Sequence, residues 1–79
     1  MSFGVDAARL RLEMARRGLS ASELARTARL SPQTVGAALA GRAISASSLR
    51  LIAKALTESP VMAAIDALLG THDSVKEID

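Results

Sequence analysis

The stretch that decides the fold runs from residue 20 to residue 41: Ser20-Ala21-Ser22-Glu23-Leu24-Ala25-Arg26-Thr27-Ala28-Arg29-Leu30-Ser31-Pro32-Gln33-Thr34-Val35-Gly36-Ala37-Ala38-Leu39-Ala40-Gly41. Ser20-x-x-Glu23 has the form of a capping box, in which each side chain satisfies the other residue's free amide and so opens a helix. That helix carries Leu24, Ala25 and Ala28 inward. Ser31-Pro32 is a second start: a cap followed by proline at the first helical position, where the missing N–H costs nothing. Val35, Ala38 and Leu39 are its inner stripe, and Gly41 its stop. Only Arg29-Leu30-Ser31 separates the two helical patterns. So short a connection forces the helices to cross steeply, with Leu30 beneath the corner. The outer face of the second helix of the pair is then free at its N-terminal end.

Outward from this corner the same grammar continues. Asp6 caps a first helix bearing Ala7, Leu10 and Met14 at helical spacing, and Gly18 ends it. Ser45 starts a fourth helix whose inward positions are expected at Leu49, Ile52, Ala53 and Leu56. Ser59-Pro60 repeats the cap-plus-proline signal, which predicts a fifth helix through Val61, Met62, Ile65, Leu68 and Leu69 to Gly70. Residues 71–79 are polar and are expected to fray.

Composition agrees with helices. Of 79 residues, 49% are apolar, yet the chain has one Phe, no Trp and no Tyr. A core of thin aliphatic side chains suits close helix packing better than strands. The expected class is all-α, in one domain. Cysteine is absent, so no disulfide or thiolate metal site staples the fold. No segment approaches the ~20 apolar residues of a membrane span or has the apolar run of a signal peptide, which makes the cytoplasm the expected location.

Net charge is only +2, but its distribution is uneven. Residues 1–54 hold nine Lys or Arg against three acids; residues 55–79 hold one Lys against five acids. A basic part and an acidic part imply one face for a polyanion and another turned away from it. Arg9, Arg11, Arg16 and Arg17 are expected to form a solvated basic face of the first helix, with one or two of them near phosphate as the alternative, and Arg26 and Arg50 to be surface charges or further phosphate contacts. Nothing points to an enzyme. The one histidine, His72, lies in the tail, and there is no tuned carboxylate pair, glycine-rich phosphate loop or metal-ligand spacing. No metal, cofactor or small-molecule ligand is expected.

The ordered string Gly18-Leu19-Ser20, Glu23-Leu24-Ala25, Ala28, Leu30-Ser31, Thr34-Val35, Gly41-Arg42, Leu49 and Ile52-Ala53-Lys54-Ala55-Leu56 resembles the Cro/C1-type (Xre-like) helix-turn-helix family over about residues 7 to 57. Ser31-Pro32-Gln33-Thr34-Val35 is also similar to the start of the recognition helix in the lactose-repressor family. The resemblance implies a five-helix lambda-repressor-like bundle. It divides the chain into a DNA-binding core (1–57), a fifth helix for dimerisation (58–70) and a polar tail (71–79).

It also implies roles. Gln33 would pair with adenine in the major groove, with Pro32, Gly36 and Ala37 beside it at the base edges. Phosphate contacts would come from Arg42, Ser31, Ser20, Ser22, Thr34, Arg29 and Ser45, although each capping serine also has a complete structural explanation. Gly36 is either an allowance for close approach to DNA or filler.

Three departures stand out, one being a sparse recognition helix whose outward positions, Pro32, Gln33, Gly36, Ala37 and Ala40, include one long polar group. Arg29 occupies a position where the family usually has glycine; it is either a phosphate contact or a tolerated, mildly strained residue. Met14 and Leu39 are apolar where many members pair Arg with Glu, a replacement that is often neutral or stabilising.

The fifth helix is apolar nearly all round, with Asp66 its one charge, and so asks for burial on two sides. One side suits the core and the other a second copy. The expected dimer interface is Val61, Met62, Ile65, Leu68 and Leu69, serving a palindromic site on double-stranded DNA. The function implied is a small Cro-like repressor acting as a dimer by covering its promoter. The alternative is an antitoxin or other protein-interaction module that also binds its own operator.

Overall fold

A computed structural model describes residues 2–69. Within them five helices follow in order: α1 (Ala7–Arg16), α2 (Ala21–Ala28), α3 (Pro32–Leu39), α4 (Ala46–Glu58) and α5 (Ala63–Leu69). The protein is a helix-turn-helix bundle of the expected all-α class. The polar tail and the stop at Gly70 lie outside the described residues.

The capping reading holds for four helices. Asp6 Oδ1 accepts from Arg9 N at 3.0 Å at the start of α1. Ser20 and Glu23 form the full capping box of α2. Ser31 caps α3, and Ser45 caps α4 by accepting from Ser48 N at 3.1 Å. The predicted corner is present as well: Arg29 sits in the left-handed region at φ 61, and Leu30 is half-buried against the core.

The core is wholly apolar: Leu10, Met14, Leu24, Ala25, Ala28, Val35, Ala38, Ile44, Ile52 and Ala55. Leu24 and Val35 are sealed at its centre, at 0% and 1% exposure. Met14 is buried and Leu39 packs against the same cluster, so both residues at the position of the family's ion pair serve the apolar interior. α2 packs on α3 and α4, and α1 on α3 and α5. This arrangement holds α3 from behind and leaves its front open.

Four features differ from the expectations. In α4, Ala55 is buried and Ala53 exposed. The inward stripe is therefore Leu49, Ile52, Ala55 and Leu56, turned slightly from the stripe that included Ala53. Ser59 does not start α5. It ends α4, its Oγ donating to Ala55 O at 2.8 Å, and the chain is non-helical to Met62 before α5 begins at Ala63. A two-residue antiparallel ribbon pairs Ser2–Phe3 (β1) with Ile44–Ser45 (β2), a long-range contact that no local pattern announces.

The fourth difference concerns the basic run of α1 and its C-cap Arg17: Arg9 and Arg11 are exposed as expected, yet all four arginines are bonded within the protein. Arg11 donates to Leu39 O at 2.8 Å, and Arg9 pairs with Glu13 at 2.8 Å. Arg17 Nε donates to Leu56 O and Ser59 O at 2.8 and 3.0 Å, capping the end of α4, while its Nη1 meets Glu13 at 2.6 Å. Arg16 bridges Glu13 at 3.2 Å and Asp66 of α5 at 2.6 Å. The hydrogen bond from Arg17 leads the influences that hold the Glu13 carboxyl below its ordinary value; desolvation opposes it, and the charges of Arg16 and Arg9 add to it. The bond to Asp66 is the main cause that raises the Arg16 guanidinium.

Candidate nucleic-acid interface

The front of α3 is built from small residues around one long polar side chain. Pro32, Gln33 and Gly36 are exposed, and Thr34 and Ala37 are half-buried. Among the described residues the Gln33 side chain has no hydrogen-bond partner. Its amide therefore has two donors and an acceptor to offer, the set that matches the N6 and N7 edge of adenine. At Gly36 an added Cβ would meet nothing within 4 Å, so the space before this turn of α3 is empty.

A shallow hollow of about 340 Å³ runs in front of the helix, lined by Gln33, Thr34, Ala37, Ala43, Ile44, Ser45 and Ser48. It joins the face of α3 to the start of α4. Ala43, Ile44 and Ser48 are not among the residues expected from the sequence at this face. The Ser45-x-x-Ser48 spacing was the available signal: it places Ser48 in the first turn of α4, where Ser45 Oγ donates to Ser48 Oγ at 2.9 Å.

The serines are already engaged as caps. Ser31 Oγ accepts from Thr34 N at 3.2 Å and shares a hydrogen bond with Thr34 Oγ1 at 3.0 Å. Ser20 Oγ accepts from Glu23 N at 3.1 Å, and Ser20 N donates to Glu23 Oε1 at 2.8 Å. That backbone bond is the main cause holding the Glu23 carboxyl below its ordinary value. Ser20, Ser31 and Ser45 are all exposed, so a hydroxyl committed inward still presents an oxygen edge to solvent. Ser22, in the first turn of α2, is exposed and its side chain is unpaired among the described residues.

Cations fall into two groups. The four arginines of α1 are bonded within the protein, as above. The side chains of Arg26, Arg29, Arg42, Arg50 and Lys54 make no hydrogen bond or salt bridge among the described residues. Arg42 follows the end of α3, and its N–H donates to Ala37 O at 2.9 Å, so the backbone there is fixed while the guanidinium is free. Arg29 is placed differently. It lines a separate hollow of about 440 Å³ with Thr27, Ala28, Leu51, Lys54, Ala55 and Glu58.

Of the expected interface residues on α5, Leu68 is 87% and Met62 50% exposed, and Val61 and Leu69 are exposed as well. Ile65 is half-buried, with its Cδ1 turned toward Gly18. No described helix is long and apolar enough to cross a membrane.

A short two-helix corner with Arg29 at a positive φ, and an α3 whose outer face is exposed, make a helix-turn-helix domain. The chain belongs to the Cro/C1-type (Xre-like) helix-turn-helix family, whose model, described as helix-turn-helix, matches residues 9–61, more than half of the chain. It is a family of DNA-binding transcription regulators and is not typically enzymatic. Comparison with curated proteins and with solved structures gives no significant match.

Proposed function

We propose that the protein is a sequence-specific cytoplasmic repressor that binds a palindromic site as a dimer and acts by covering promoter DNA. The observation that carries this reading is the free Gln33 amide on an otherwise small-sided, uncovered α3. Such a helix can lie deep in the major groove, where Gln33 reads adenine and Pro32, Gly36 and Ala37 line the approach, Ala37 beside a thymine methyl. With one strong base contact per helix, affinity leans on phosphates. Arg42 is the principal phosphate ligand, helped by Ser20, Ser22, Ser31, Thr34 and Ser45. Arg29 lies along the other hollow, and we leave it out of this set.

Dimerisation is supported by exposed apolar residues at and just before α5: Leu68 and Leu69 on the helix, and Val61 and Met62 ahead of it, are more apolar surface than so short a segment leaves in water without reason. Ile65 reaches inward from the same helix. A two-fold axis through this face would set two α3 helices about 34 Å apart on one side of B-DNA.

The test is selection of sites from a random duplex pool, followed by footprinting with two variants. Gln33→Ala is expected to relax preference at one base position per half-site, by about 1–3 kcal/mol. Arg42→Ala is expected to weaken all sequences alike and to reduce the salt slope by about one. Equal loss of preference in both variants would refute the assignment of roles.

A further inference from the structure

α5 is seven residues long and none of its side chains is buried. A helix so short has no stability of its own in water, so its place must be imposed by neighbours. Its apolar contacts include Met62 Sδ and Ile65 Cδ1, which lie over Gly18, 2.9 and 3.4 Å from where a Cβ there would be. Gly18 is favoured at this turn by its backbone, at φ +66.

Among the described residues, Arg16 is the centre of the polar attachment. Its carbonyl accepts from Met62 N at 2.9 Å, and Met62 O accepts in turn from Asp66 N at 2.9 Å in the first turn of α5. Its Nε donates to Asp66 Oδ1 at 2.6 Å. Its Nη1 rests on Glu13, 3.2 and 3.3 Å from the two carboxylate oxygens. One residue therefore grips α5 by backbone and side chain, while Glu13, itself held by Arg9 and Arg17, keeps the guanidinium from swinging away.

We propose that Glu13, Arg16 and Asp66 are positioning residues that aim the pairing face of α5, and so set the distance between the two recognition helices of a dimer. The proposal rests on the pairing reading given above. α3 is fixed by the apolar core, whereas α5 is fixed by this network. The mechanical link between base reading and pairing therefore passes through Arg16. Releasing α5 leaves each half-site reader intact and lets the second copy settle at a range of distances.

The test uses the full chain with Asp66→Asn, Arg16→Gln and the double variant. It reads amide hydrogen exchange over 63–69, affinity for a single half-site duplex, and affinity for duplexes whose selected half-sites are moved one or two base pairs apart. Asp66→Asn should speed exchange in α5 roughly fivefold, the scale of a strong surface network, and leave α2 and α3 unchanged. Half-site affinity should hold while discrimination between spacings flattens. The double variant should do little more than either single, because both break one network.

Unchanged exchange in α5 would overturn the proposal. So would faster exchange with spacing discrimination intact, since α5 would then be latched without aiming anything. Leu68→Glu judges the pairing reading separately. If its sedimentation mass equals that of the parent at every concentration, pairing through α5 is wrong, and the link to spacing falls with it whatever the exchange shows.

Discussion

α3 has eight residues and α5 seven, and each turns a face to open space. α3 begins with a serine cap and a proline and buries Val35 and Ala38 completely, so its outer face is held rigidly by what lies behind it. α5 has no buried residue and is clipped to α1 through Arg16. The outer faces differ in kind as well. α3 offers Gln33 among small side chains, whereas α5 offers Leu68 and Leu69, with Val61 and Met62 exposed just before it. A surface that reads base edges needs fixed geometry, since an error of an ångström loses a hydrogen bond. On the function proposed above, the core holds the base-reading surface and the Arg16–Asp66 salt bridge aims the pairing surface.

The contrast can be broken by mutation. The largest effect is expected from Val35→Ala, which opens a void behind α3 and should cost about 2 kcal/mol in urea unfolding. Leu68→Ala, a larger truncation on α5, should change the stability of the monomer by less than about 0.5 kcal/mol. Comparable losses in the two variants would abolish the distinction between a core-held and a clipped helix.

A smaller, opposite effect is expected at the corner beneath α3. Arg29 holds φ 61 at a cost of about 1 kcal/mol relative to glycine. Arg29→Gly should therefore raise stability by about that amount and leave DNA affinity unchanged. A loss of affinity would return Arg29 to the phosphate set.

The smallest effect sharpens the account of α1. The Glu13 carboxyl lies below its ordinary 4.5, chiefly through the hydrogen bond from Arg17. A depressed carboxyl stabilises the fold fully above its unfolded pKa, and that contribution disappears as pH falls through the lower folded value. Glu13→Gln should make the acid limb of the stability profile shallower below about pH 4.5. It should not flatten it, because Glu23 is depressed in the same direction by Ser20.

What was legible in the sequence was what is decided locally. Ser20-x-x-Glu23, Ser31-Pro32 and Asp6 act on amides within three residues of themselves, and each is found where the pattern put it. The corner at Arg29 was readable because only three residues join two helical patterns, and its left-handed backbone was suggested by the family's usual glycine there. Ser59-Pro60 misled because a serine before a proline looks the same whether it starts one helix or ends another. Here Arg17, 42 positions away in sequence, binds Ser59 O and fixes the second outcome. The arginines of α1 could be counted as charge but not seen as partners, since Asp66 lies 50 positions beyond Arg16. The place of Ser48 beside Gln33 likewise depended on how α4 docks, which its own residues do not state.

The empty flank at Gly36 has a consequence for how such a protein changes its target over generations. Nothing within 4 Å resists a side chain there, and the residue is not held at a positive φ. A lineage can try one substituent after another at that turn of α3 without disturbing Val35 or Ala38 beneath it. If α3 reads DNA as proposed, descendants of one ancestor can thereby come to bind different sequences while inheriting the same interior.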